Sequence, residues 1–156
     1  MTLEQIAKRI RVLEDLEEIK ILHREYVNYV NLKDAEAMTD CFSEDAIVDI
    51  RIFGPRMGKQ EFAKLFRDTI RPIQVVPGSI TPKGGHFVFH PVITVTENKA
   101  KGHWMMDRFF DDVSTPDEPI LMLAKGRYDC EYVKENGKWK ISYLKWTHPW
   151  PLETSF

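Results

Sequence analysis

Apolar side chains recur at three- and four-residue steps through the first third of the chain: Ile6, Ile10, Leu13, Leu16 and Ile19, then His23 through Tyr26. That period is the signature of a helix. Thr2 followed by Gln5 reads as a capping box at the helix start. Asp15 followed by Glu18 repeats the signature, which predicts a break or kink near Asp15, with a short outer helix and a longer inner one ending near Leu32. Asp34 is placed to N-cap a further short helix running to Phe42, and Ser43-Glu44-Asp45 to turn the chain.

The pattern then changes to alternation. Residues 46–53, rich in β-branched side chains, read as a strand turned by Gly54-Pro55. Gly58 opens another helix with Phe62, Leu65, Phe66 and Ile70 on one face, and Pro72 ends it. Residues 72–85 hold several Pro and Gly without periodicity and are expected to form a loop. Strands follow one another from there. Residues 87–96 are interrupted by Pro91, so that strand is bulged or at a sheet edge. Residues 100–111 follow a turn at Asn98-Lys99, and residues 120–134 follow a polar loop. Residues 138–146 follow the hairpin signal Asn136-Gly137. Helices first and an antiparallel meander after them define an α+β fold. The helices can bury their apolar faces only on the concave side of a strongly curved, mainly antiparallel sheet. No repeat or linker divides the chain, so residues 1–156 are expected to be one domain.

Charge narrows the partners. The 22 Lys and Arg against 24 Asp and Glu give a net charge of −2, which offers no basic surface to nucleic acid or to an anionic membrane. No apolar run approaches the roughly 20 residues of a membrane span, and the first residues carry charge where a signal peptide needs an apolar stretch. A cytoplasmic protein is expected. Cys41 and Cys130 have no metal-ligand spacing and read as small buried side chains. Aromatic residues make up 12% of the chain, enough to line an apolar cavity with rings carrying polar tips or to fill a core.

Candidate chemistry gathers on the strands and the inner helix. His86 follows Gly84-Gly85 and opens a strand, where a rim imidazole with a pKa of about 6.5 would suit proton transfer near neutrality. His90 lies four residues on, which alternation places on the same face about 13 Å away. That is too far for both to hold one metal, and no metal site is expected. Tyr26 and Tyr29 stand near Asn31 on the inner helix, and a phenol there can hydrogen-bond a leaving hydroxyl or a phenolate. Trp104, Met106 and Arg108 share one face of their strand, with His103, Met105 and Asp107 on the other. Tyr128 with Gly126 and Cys130, and then Leu144 and Trp146, fall on the inward parity of the next two strands. His148 follows them if the chain stays extended. The tail with His148 and Trp150 among prolines is expected to act as a lid or a subunit interface.

The order of these elements, and several of their residues, resemble the SnoaL-like branch of the nuclear transport factor 2-like superfamily. The carrying residues are Ile19-Lys20-Ile21-Leu22 with Tyr26, Lys33-Asp34-Ala35-Glu36, and Cys41-Phe42-Ser43-Glu44-Asp45-Ala46. They continue with His86 through Val95 and with Tyr132-Val133-Lys134-Glu135-Asn136-Gly137-Lys138-Trp139-Lys140-Ile141. The group includes scytalone dehydratase, bile acid 7α-dehydratase, a hexachlorocyclohexane dehydrochlorinase and cofactor-free lyases of lignin-derived aromatics, and binding proteins share its fold. The resemblance implies a cone-shaped fold enclosing a cavity, and elimination or related proton transfer with neither metal nor organic cofactor. It implies a catalytic histidine at His86, a pocket tyrosine at Tyr26, and Trp104, Met106 and Arg108 pointing inward. Arg108 would bind a substrate carboxylate or stabilise an enolate or phenolate. Asn31 stands where the family carries the aspartate that orients the histidine. Its carbonyl can fix the ring tautomer, but it supplies no negative charge.

The leading expectation is therefore a cofactor-independent lyase, a dehydratase or a fragmenting lyase that releases a unit such as formaldehyde. It would act on a bulky aromatic or polycyclic small molecule, as in aromatic compound catabolism. His86, Asn31, Tyr26 and Arg108 would form the catalytic group. Tyr29, His90, Trp104, Met106, Tyr128, Leu144, Trp146 and His148 would contact the substrate. A homo-oligomer is expected, and the resemblance favours a trimer. The alternatives are a non-catalytic binder of an apolar ligand, an isomerase or cyclase, and the small subunit of a ring-hydroxylating oxygenase.

Overall fold

The computed structural model describes residues 1–50, 53–70, 84–112 and 120–147. The loops expected over most of residues 72–85 and at 114–119, the helix-ending Pro72, and the tail with His148 and Trp150 lie outside these residues.

Helix α1 runs unbroken over Leu3–Leu32. Its start is the expected capping box: Thr2 Oγ1 accepts from the Gln5 N–H at 3.2 Å, and Gln5 Oε1 accepts from the Thr2 N–H at 2.9 Å. The break expected near Asp15 is absent. No Gly or Pro interrupts residues 3–32, and Asp15 is drawn sideways rather than into a cap. Its carboxylate accepts from Lys134 Nζ at 2.6 Å and Trp139 Nε1 at 2.9 Å, which ties the helix to a distant hairpin. Lys33 ends α1 in the left-handed region, with φ 61.

Helix α2 (Ala35–Asp40) is N-capped as expected by Asp34, which accepts from the Ala37 N–H at 3.0 Å. It stops short of Phe42, which opens β1 (Phe42–Ile50). Ser43-Glu44-Asp45 is thus not a turn between elements. It lies inside β1, where the register shifts between Phe42 and Ile47. Gly54-Pro55 begins a short strand, β2 (Gly54–Met57), that pairs antiparallel with β1. A proline is tolerated there because β2 is a sheet edge. Helix α3 (Lys59–Leu65) starts at Gly58 as expected and continues as a π-helical segment over Phe66–Ile70.

Strands β3 (Gly84–Thr96), β4 (Lys99–Asp112), β5 (Ile120–Glu135) and β6 (Lys138–Thr147) form an antiparallel meander. Pro91 has the expected effect: β3 is the other edge strand, and its register shifts between Phe89 and Val92. Asn136 and Gly137 join β5 to β6 with φ of 51 and 77, the backbone that an Asn-Gly hairpin turn requires. The sheet order is β2-β1-β6-β5-β4-β3. The β1–β6 pair is parallel, so the sheet is mixed as well as curved and unclosed.

The helices pack on one side of this sheet. Ile19, His23, Tyr26, Val27 and Val30 of α1 are buried, as are Trp104, Met106, Tyr128, Cys130 and Tyr132 of β4 and β5. Cys41 and Cys130 are free and buried, as their types led one to expect. Among the described residues no helix is long and apolar enough to cross a membrane.

Candidate active site

His86 sits near the start of edge strand β3, beside Asn31 in the last turn of α1. The Asn31 amide is matched to the His86 peptide. Nδ2 donates to the His86 carbonyl at 2.9 Å, while Oδ1 accepts the His86 backbone N–H at 2.8 Å. The side chain thereby takes the place of a neighbouring strand at the sheet edge. An aspartate has two acceptors and no donor, and would set an oxygen against that carbonyl. The same Oδ1 lies 3.2 Å from His86 Nδ1. Only a protonated Nδ1 is favourable against an oxygen acceptor, so the Nε2 lone pair is left for chemistry.

Both backbone groups of His86 turn to Asn31, so His86 and its cross-strand partner Arg108 form the closer, non-hydrogen-bonded type of antiparallel pair. His86 is buried, at 9% exposure. Burial, then the Arg108 guanidinium and the Lys33 ammonium, pull its pKa down to about 3. This corrects the expected rim histidine titrating near neutrality: the imidazole is neutral at any physiological pH. Arg108 is half-buried, and Lys33 is pulled down to about 8 by burial and by Arg108. Two cationic side chains therefore bear on one neutral base.

Deeper on the concave side lie Tyr26 and Tyr128, at 2% and 5% exposure, their rings edge to face with centroids 6.3 Å apart. Burial holds both phenols above the usual range. Trp104, Met106 and Leu144 are buried, as the inward parity required. Trp146 is partly buried over Gly126, and a Cβ at that glycine would collide with the indole Nε1. Tyr29 is partly buried and packs against the core.

The structure thus brings His86, Asn31 and Arg108 together and places Tyr26, Tyr128, Trp104 and Met106 on the same side of the sheet. It does not bring His90 there. The bulge at Pro91 puts His90 at φ 50 with its side chain exposed, so the alternation that linked it to His86 breaks at that point. His148 lies outside the described residues. Among the described residues no three His, Cys, Asp or Glu side chains come together to hold a metal ion.

Two features were not singled out from the sequence. Lys33 entered only as part of the Lys33-Asp34-Ala35-Glu36 stretch after the helix, with no role of its own. His23 lay on the apolar period of α1, four residues after Ile19, and that period was the clue. It is fully buried and stacked on Trp104, with centroids 4.6 Å apart and planes 7° from parallel. Its Nδ1 lies 3.0 Å from the Tyr132 hydroxyl, which also accepts from Trp104 Nε1 at 2.9 Å. His23 Nε2 is a buried side-chain polar atom with no hydrogen-bond partner among the described residues. Burial lowers the His23 pKa to about 3.

Helices laid on one face of a curved, open six-stranded sheet are the architecture of the nuclear transport factor 2-like folds. Within that class the chain belongs to the SnoaL-like domain family, whose model matches residues 11–145. An NTF2-like protein with a cystatin-like fold from Novosphingobium aromaticivorans superposes with a TM-score of 0.76 at 22% identity, covering 99% of this chain and 92% of that one. A protein from the same organism assigned as a scytalone dehydratase gives 0.71 at 17% identity, covering 92% and 97%. A type 2 hexachlorocyclohexane dehydrochlorinase gives 0.73 at 18% identity, covering 92% and 93%. At these identities the likeness is one of fold. No curated protein matches the chain.

Proposed function

We propose that this protein is a cofactor-independent lyase that eliminates across a C–O or C–C bond of a bulky aromatic or polycyclic small molecule, with dehydration the leading case. The carrying observation is the Asn31–His86 arrangement, which favours a neutral imidazole with its Nε2 lone pair unused. In the proposed reaction Nε2 takes a proton from a substrate carbon. The electron pair of that C–H bond forms the new double bond, directly or through an enolate, and the leaving group departs with its C–O bonding pair. Where a C–C bond breaks, Nε2 instead takes a hydroxyl proton, the O–H pair becomes the C=O of the released fragment, and the C–C pair stays on the remainder as an enolate. Arg108 and Lys33 stabilise the oxygen on which negative charge develops. As that charge forms, it offsets the two cations that depress the basicity of His86, so the base strengthens as the transition state is reached. Tyr26 donates to Tyr128, which leaves the Tyr128 hydroxyl as the donor for a leaving or substrate oxygen. The names of two structural neighbours, a scytalone dehydratase and a dehydrochlorinase, describe eliminations and support the class.

The test is turnover of a panel of β-hydroxylated aromatic and polycyclic compounds, read as loss of one water or one small fragment by mass. His86→Gln should lower kcat by about 10²–10⁴. Equal turnover by the two proteins would remove His86 from the mechanism.

One observation favours a second reading. A histidine held near pKa 3 without a carboxylate partner is a weak base, as befits a binding protein whose His86 only hydrogen-bonds its ligand. On that reading a compound binds with unchanged mass, and His86→Gln weakens its Kd without any kinetic effect.

A further inference from the structure

Residues 1–11, most of them in the first turns of α1, are all exposed, a segment about 16 Å long. Large apolar side chains are nevertheless spent on it: Leu3 is 86% exposed, Ile6 37%, Ile10 49% and Leu13 65%. Their spacing of three, four and three residues is the a/d repeat of a helix that packs on another helix. At about 100° per residue, this stripe lies roughly 140° around α1 from the face formed by Ile19, His23, Tyr26 and Val30. It therefore faces away from the chain's own sheet. Most of the stripe also precedes residues 11–145, which match the family.

We infer that the first three turns of α1 are the contact surface for a second copy of this chain, in a parallel helix pair. Charge selects the occupant and its direction. With Leu3 and Ile10 at a, and Ile6 and Leu13 at d, Arg9 falls at g and Glu14 at e. In a parallel pair each g residue faces the e residue five positions on in the other helix, so Arg9 meets Glu14 twice. An antiparallel pair layered Leu3 on Leu13 would bring Arg9 against Arg9. Among the described residues, neither Arg9 nor Glu14 forms a salt bridge within its own chain. A membrane surface fits less well. The stripe is narrow, and its flanks mix Glu4 and Glu14 with Lys8, Arg9 and Arg11, where a lipid-binding helix needs a broad apolar face and basic flanks.

Sedimentation at micromolar concentration tests the proposal. The wild-type chain should exceed the 18.3 kDa of one copy, and Ile10→Glu should return it to that mass with an unchanged circular dichroism spectrum. Arg9→Glu should weaken association at least ~10-fold, and adding Glu14→Arg in the same chain should restore it. Leu3→Cys should cross-link to itself under mild oxidation, because equal positions meet only in the parallel pair. A monomeric wild type, an Ile10→Glu variant with wild-type mass, or flotation of a monomeric wild type with vesicles rich in anionic phospholipid would each overturn the proposal.

Discussion

Acidification should unfold this protein through two histidines rather than through its carboxylates. His23 and His86 are both buried, and each is held near pKa 3 against an unfolded value of about 6.5. Below pH 6.5 the unfolded chain binds a proton that the folded chain refuses, so stability is complete above that pH and falls as pH drops toward 3. Integrated from pH 7.5 to 5, each histidine contributes a loss of about 2 kcal/mol, and the pair about 4 kcal/mol. Domains of this size have roughly 5–15 kcal/mol in hand, so the loss is a large part of the whole. Asp15 has the opposite charge type but adds in the same direction. Its pKa is lowered by Lys134 and Trp139 against the opposing effect of burial, and its contribution is lost only in the carboxylate range. A window between pH 7.5 and 5 therefore isolates the histidines. Urea unfolding at several pH values, followed by tryptophan fluorescence, should give a slope approaching two protons per molecule near pH 5, and about one in His86→Gln. A stability that changes by less than about 1 kcal/mol across the window would refute the claim that these imidazoles are buried and neutral. So would an equal slope in the variant.

Tyr132→Phe should cost about 2–5 kcal/mol in urea unfolding, because it strips the partner from both Trp104 Nε1 and His23 Nδ1 in the core. Gly126→Ala should displace the Trp146 indole, with which its Cβ would collide; expected are a red shift in tryptophan emission and a loss of about 1–3 kcal/mol. Asn31→Asp should lose about 1–3 kcal/mol by setting an oxygen against the His86 carbonyl, while its charge raises the His86 pKa in an NMR titration. With a substrate in hand, that variant's rate profile should move on its acidic limb if His86 accepts the proton and on its basic limb if it donates one. Chelators should leave turnover unchanged, and activity lost to EDTA and regained with zinc would show the chemistry to be metal-dependent.

What the sequence revealed was local. The Thr2 capping box, the Asp34 cap, the Asn136-Gly137 turn and the bulge at Pro91 are demands made by a few neighbouring residues on their own backbone, and the chain met each of them. The inward parity of Trp104, Met106 and Tyr128 was legible for the same reason. Effects set by distant partners were not. Asp15 looks like a cap until Lys134 and Trp139, more than a hundred residues on, take its carboxylate. His90 follows His86 by simple alternation until the bulge breaks that register. Asn31 was read as a substitute for a charged partner of the imidazole, yet its main contacts are to the His86 peptide, which no spacing rule exposes. The low basicity of His86 depends on burial and on two cations from other elements, so it became visible only once the chain was folded.

The parallel pairing of β1 with β6 also shapes how the molecule is assembled. Strand β6 follows every other strand in the chain, yet it sits between β1 and β5 in the interior of the sheet. Its contacts with β1 join residues such as Phe42 and Ile141, roughly 100 positions apart. The β3–β4–β5 meander can form from neighbours, and α1 can pack on it through contacts such as Asn31 with His86, whereas the inner edge of β1 has no partner strand until β6 arrives. Strand β1 must therefore wait for β6, with the inner edges of β1 and β5 both open to misplaced strands until it pairs. The sheet is thus closed by the last of its described strands, and until that strand inserts two edges stand open to misplaced pairing.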